Sequence, residues 1–134
     1  MTDGAGQLEP RVDERVPLRL RRMLRAKVHR VTVTGAELHY TGSLSLDPAL
    51  LAAAGLLEYE QVDVVNVNNG ARFSTYLIEG GPGECCLNGA AARLGVPGDL
   101  LIVMAFDLIE DRAARLHVPT VVHVDADNRP VPVP

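Results

Sequence analysis

The dipeptide Asn69-Gly70 constrains the fold of this chain most. It separates residues 62–67, rich in valine, from residues 72–79, which mix aromatic and β-branched side chains. A turn pair of this kind between such runs is a strong short-range signal for a β-hairpin. Other turn signals sit close by. Gly80-Gly81-Pro82-Gly83 and Pro97-Gly98-Asp99 leave room only for short elements between them. The reading along the chain is therefore strand at 27–34, a short strand at 38–40 ending at Gly42, then strands at 62–67, 72–79, 84–87, 100–106 and 120–124. The apolar run 100–106 reads as a fully buried strand. Asp47-Pro48 opens a helix that Gly55 closes, with Asp as N-cap and Pro at the first helical position. Asn88 is placed to cap a second, Ala-rich helix. This pattern of many short strands and two small helices suits a closed or nearly closed β-barrel. It lacks the long helices and the Gly-x-Gly-x-x-Gly of a dinucleotide-binding fold.

Residues 1–22, with Gly4, Gly6, Pro10 and Pro17, read as a poorly ordered extension. Residues 23–125 form the barrel domain, and 126–134 a proline-rich flexible tail. Eight of the 13 Lys and Arg lie between Arg11 and Arg30. After that, five basic residues face 13 acidic ones. An acidic body of this kind argues against a nucleic-acid surface. No apolar run approaches the ~20 residues of a membrane helix, and the start lacks a secretory pattern. A cytoplasmic protein without nucleic-acid or membrane partners is expected. Cys85 and Cys86 then read as a thiol pair in a strand, without a metal.

Gly42-Ser43 carries a chemical possibility. A serine hydroxyl can attack the carbonyl before it, and glycine tolerates the strained turn this needs. The ester so formed can eliminate and lose ammonia, leaving a pyruvoyl group at position 43. A ketone of this kind, joined to an amino acid's nitrogen, offers the electron sink that α-decarboxylation requires.

Four segments, read together, resemble the bacterial aspartate 1-decarboxylase family. They are Lys27-Val28-His29-Arg30-Val31, Leu38-His39-Tyr40-Thr41-Gly42-Ser43, Asn69-Gly70 with Arg72-Phe73-Ser74-Thr75-Tyr76, and Asn88-Gly89-Ala90-Ala91. The similarity spans about residues 23–125. It implies a proenzyme that cuts itself between Gly42 and Ser43, with the pyruvoyl derived from Ser43 as its covalent cofactor. It also implies a mainly β fold, a small six-stranded double-psi β-barrel with short helices. The assembly implied is a homotetramer with sites between neighbouring subunits. The reaction implied turns L-aspartate into β-alanine and CO2 for pantothenate synthesis.

Under this resemblance Lys27 and Arg72 are the candidates to hold the two substrate carboxylates, the arginine through a two-pronged fork. Tyr76 is the candidate proton donor to Cα, since a phenol is protonated at neutral pH. Thr75, Gly89, Ala90 and Ala91 match substrate-contacting positions, and His29, Tyr40 and Asn88 supporting ones. Thr75 and Tyr76 are neighbours, so a regular strand points them to opposite faces. An accessory maturation factor, an uncleaved barrel that only binds acidic metabolites, and a preference for glutamate all stay open at this level.

Overall fold

The computed structural model describes residues 15–132; residues 1–14 and 133–134, the outer parts of the expected extension and tail, lie outside the described residues. The expected hairpin is present. β4 (Gln61–Asn66) pairs antiparallel with β5 (Arg72–Glu79), and Gly70 adopts φ +77° in the loop between them. Asn66 locks that loop. Its Oδ1 accepts the Asn68 and Asn69 N–H groups, while its buried Nδ2 donates to Leu94 O and Asp99 Oδ2. The hairpin is thereby tied to the turns that follow residue 93.

Around it runs one mixed sheet, in the order β2-β6-β3-β5-β4-β7-β1-β8-β9. β1 (Leu20–Thr32) runs antiparallel to β7 (Leu100–Glu110) and parallel to β8 (Thr120–Val124). β3 (Ser43–Leu46) lies between β5, parallel, and β6 (Cys85–Asn88), antiparallel. Two very short strands finish the edges, β2 (Gly35–Glu37) on β6 and β9 (Pro130–Val131) on β8. The described strands thus number nine, not the expected six, and their hydrogen-bonded order does not close on itself. Two of the three extra strands are these edge pieces, which exist only because a distant strand offers them backbone partners.

One apolar cluster fills the inside. It takes Ala26, Val28 and Val31 from β1, Leu44 and Leu46 from β3, Leu77 from β5, Leu87 from β6, and Leu101 and Val103 from β7. With Trp absent and aromatics scarce, these branched side chains carry the core, each fully buried one contributing roughly 1.5–3 kcal/mol. β1 keeps its apolar side inward through two irregularities, between Leu24 and Ala26 and between His29 and Val31. Arg30 occupies the second with φ +67°, a bulge that leaves Lys27 and His29 on the outer face.

Several boundaries differ from expectation, each for a tertiary reason. β1 starts at Leu20, inside the expected 1–22 extension, because Leu20 pairs with Glu110 at the far end of β7. The tail expected over 126–134 contributes β9, held by β8. The strand expected at 38–40 lies instead at Gly35–Glu37, where Cys86 to Asn88 supply its partners; 38–40 is an exposed turn. β7 is longer than the expected 100–106 and alternates in burial, because only one face of the sheet meets the core. A short helix, α2 (Asp111–Ala114), had no counterpart in the reading.

Helix α1 (Pro48–Ala54) follows its sequence signals, ending at Gly55 with φ +69°. Asp47 does more than cap it. Oδ1 accepts Ala49 N–H at 2.8 Å, and Oδ2 accepts Gly83 N–H at 2.8 Å from the glycine-rich turn before β6. These backbone bonds, Gly83 first and Ala49 second, hold the Asp47 carboxyl below its usual pKa. Asp47→Ala should cost about 1–3 kcal/mol, measured by denaturant unfolding, because a cap and a second buried donor lose their acceptor. A depressed folded pKa stabilises above the unfolded value of 3.8. The parent should therefore lose this contribution as pH falls below 3.8 through the folded pKa, and the variant should not.

Candidate active site

Ser43 opens β3 fully buried, on the pleat face opposite Leu44 and the core. Its Oγ donates to Thr41 O at 3.1 Å and accepts from Asn88 Nδ2 at 3.0 Å. Asn88 is its direct partner across the β3–β6 ladder, so strand register delivers this contact. The same Nδ2 donates to Ser45 Oγ at 2.8 Å, and Asn88 Oδ1 accepts from Cys86 Sγ at 3.4 Å. Asn88 also stands at the N-cap position of a short 3-10 helix, Gly89–Arg93, yet its side chain makes no capping bond there. The expected capping role gives way to the serines.

Gly89 presses directly on the Gly42-Ser43 segment. It adopts φ +66°, and a Cβ at this position would stand 2.7 Å from Gly42 Cα, 2.9 Å from Gly42 N and 3.1 Å from Tyr40 O. Only glycine meets both demands. Ala90 is exposed and Ala91 buried on the same 3-10 turn. Thr41 and Gly42 are exposed while Ser43 is fully covered, so burial changes abruptly at the 42/43 bond.

On the other side of β3 lies β5. Leu44 pairs with Leu77, and one step back brings Tyr76 level with Ser43. Val62 pairs with Thr75 and Asp63 with Ser74. Val62 and Leu77 are core residues, so Thr75 faces inward and Tyr76 faces outward with Ser43. The two neighbours do point apart, as a regular strand requires. Arg72 is exposed at the start of β5, on the outward side with Ser74, whose Oγ donates to Asp63 Oδ1 at 2.6 Å.

Lys27 and His29 lie outward on β1, which is not a hydrogen-bonded neighbour of β3; β5, β4 and β7 stand between the two in the strand order. His29 meets His123 edge to face, with ring centroids 5.4 Å apart, and its buried Nδ1 has no hydrogen-bond partner among the described residues. Desolvation first, then the charges of Lys27, His123 and Arg30, lower its pKa and favour the neutral imidazole.

Beside Asn88 opens a cavity of about 600 Å³, reached past the exposed Tyr40 and lined also by Ser45 and Cys86. Its charged lining residues, among the described residues, are Glu37, Glu79 and Glu84, with no Lys or Arg. The sequence reading gave neither Ser45 nor Cys86 a place at the site. The alternation Ser43-Leu44-Ser45-Leu46 was the signal for the first, since it puts both serines on one face. The cysteines likewise split. Cys85 is buried in the core, which drives its thiol pKa far up, and Cys86 turns to Asn88. Both are free.

The aspartate decarboxylase family profile matches residues 19–131 of this chain. An aspartate 1-decarboxylase of Salinibacter ruber is 58% identical over 108 residues, covering 79% of this chain and 74% of the relative. One from Bdellovibrio bacteriovorus is 55% identical over 107 residues, covering 80% and 86%. One from Dehalococcoides mccartyi strain CBDB1 is 53% identical over 109 residues, covering 80% and 88%. The profile takes in β1 through β9 and every residue of the site just described; the chain belongs to the aspartate decarboxylase family.

Proposed function

We propose that this chain is a carboxy-lyase that converts L-aspartate to β-alanine and CO2, using a pyruvoyl group it makes from its own Ser43 after cutting the Gly42-Ser43 bond. The observation that carries the reading is the pinned Ser43 hydroxyl, buried between Thr41 O and Asn88 Nδ2. That environment fits the group. Gly42 and Gly89 leave no side chain between the bond and the strand end, and exposed Thr41 and Gly42 can depart once the bond breaks. The pyruvoyl group, when formed, supplies the electron sink for loss of the α-carboxylate.

The chain's own residues do the rest. Tyr76, level with Ser43 on the same face, holds the proton that replaces CO2 at the substrate Cα. Arg72 grips one carboxylate as a planar fork and Lys27 holds the other as a point charge. The backbone at Gly89, Ala90 and Ala91, with Thr75, fixes the substrate's orientation, while His29, Tyr40 and Asn88 support these groups. Lys27, outward on a strand that does not pair with β3, is placed to reach the site of a neighbouring copy. This supports a homotetramer with sites shared between subunits. The nine strands read as a six-stranded double-psi barrel with edge additions. Asn128 supports this by donating to both Thr32 O and Gly83 O, across two ends of the sheet. The β-alanine produced would serve pantothenate synthesis in the cytoplasm, with a maturation factor as a further partner to test.

Intact mass spectrometry with a CO2-release assay tests the proposal. Two fragments meeting at 42/43, the larger without a free amino terminus, and turnover of aspartate above glutamate are expected. A chain that stays whole and releases no CO2 removes the proposal. Tyr76→Phe should cleave like the parent yet lose about 10²–10⁴-fold in kcat; an unchanged kcat would take the proton-donor role from Tyr76.

A further inference from the structure

Asn88 is held by more than Ser43. The amide is 3% exposed and lies among three partners, with Ser43 Oγ and Ser45 Oγ on its nitrogen at 3.0 and 2.8 Å and Cys86 Sγ on its oxygen at 3.4 Å. An asparagine amide can be turned end for end, so its neighbours decide which atom faces which. The single proton of Ser43 Oγ goes to Thr41 O, so toward Asn88 this oxygen can only accept. A flipped amide would set two acceptors face to face in a buried site, which is costly.

We infer that Ser45 and Cys86 are positioning residues for self-cleavage: Ser45 takes the second amide proton, Cys86 donates to the amide oxygen, and together they aim Asn88 N–H at Ser43 Oγ. This rests on the reading of Gly42-Ser43 as a self-cutting bond and adds to it two residues outside the matched motifs. Burial first of all raises the Cys86 thiol pKa, so it keeps its proton and remains a donor.

The chemistry shows what the aimed N–H does. In the first step Ser43 Oγ bonds to the Gly42 carbonyl carbon, the Gly42 C–Ser43 N bond breaks, and the hydroxyl proton goes to the freed nitrogen. In the second, the Ser43 α-proton is lost and the Cβ–Oγ bond breaks, Gly42 leaving as a carboxylate with the electron pair. Water then hydrolyses the remaining enamine to the ketone and releases ammonia. Negative charge develops on Oγ only in the second step. A fixed donor there stabilises the departing carboxylate without having to reorganise. Before the first step the same donor, with Thr41 O, confines the Ser43 side chain to one rotamer.

The test follows the fraction of whole chain with time by intact mass spectrometry, on the folded monodisperse fraction of each variant. Ser45→Ala and Cys86→Ala should slow cleavage about tenfold. Ser45→Thr, which keeps the hydroxyl, and Cys86→Ser, which puts a hydroxyl donor in place of the thiol, should return it to within about twofold. Asn88→Asp, similar in shape but with acceptors at both ends, should stay whole at pH 7. Parent-like cleavage in Ser45→Ala and Cys86→Ala, or in Asn88→Asp, overturns the inference, and so does failure of both hydroxyl replacements to restore the rate. With Ser43→Ala whole in the same series, those results leave the proposed function standing. A Ser43→Ala chain cut at 42/43, or a parent that stays whole through prolonged incubation, removes the proposed function itself.

Discussion

Ser43→Ala should remain a single chain indefinitely and release no CO2 from aspartate above the uncatalysed background. The reason is stoichiometric. Without Oγ there is no nucleophile for the Gly42 carbonyl and no source for the ketone, so no other residue can make up the loss. The fold should survive. Leu44 and the core lie on the opposite face, and Asn88 Nδ2 keeps its bond to Ser45 Oγ. The stability cost is therefore about 1 kcal/mol, one buried hydrogen bond. Intact mass together with a denaturant melt measures both halves. Residual aspartate turnover in the uncut chain would show that the electron sink comes from elsewhere.

Gly89→Ala is expected to have the second-largest effect, and for a purely geometric reason. The new methyl would stand 2.7 Å from Gly42 Cα and 2.9 Å from Gly42 N, both backbone atoms, at a φ of +66° that alanine resists. The conformational part alone costs roughly 1–2 kcal/mol. Relief of the clash must move the Gly42-Ser43 segment, because no flexible side chain stands between them. Displacing a reacting group by a fraction of an ångström to 1 Å costs up to about 10²-fold. Cleavage in Gly89→Ala should therefore slow about that much, with destabilisation of about 2–4 kcal/mol. Gly70→Ala is the control. It has φ +77° and nothing within 4 Å of the added methyl, so it should lose only the conformational cost and cleave normally. Equal cleavage rates in the two variants would show that the close approach at Gly89 is not what places the scissile bond.

Local signals were legible where a residue's own chemistry settles its conformation. Asp47, Pro48 and Gly55 bound α1 as read, and Asn69-Gly70 turns β4 into β5. Residues 120–124 form β8 at the expected limits. Legibility failed where a partner distant in sequence decides. The segment 38–40 has suitable strand residues but nothing to pair with, whereas Gly35–Glu37 has Cys86 to Asn88 beside it. Asn88 reads as a helix cap from its neighbours in the chain; β3, arriving from 45 residues upstream, gives its amide two hydroxyls instead.

The sequence by itself determined the chemistry on which the proposal rests: a Gly-Ser pair with a hydroxyl next to the carbonyl, a tyrosine and an arginine on one predicted strand, and a family resemblance across those motifs. Covalent reactivity and turn propensity belong to single residues and their neighbours, so they survive without a fold. Only the tertiary structure decided that Gly89 would press on Gly42, and that Ser45 and Cys86 would hold Asn88 to Ser43. It also decided that Lys27 would stand on a strand that does not pair with that of the serine it was expected to serve. Those facts follow from which strands pair and in what register, and register is a property of the whole buried core, where a shift of one residue would turn every side chain of a strand to the other face.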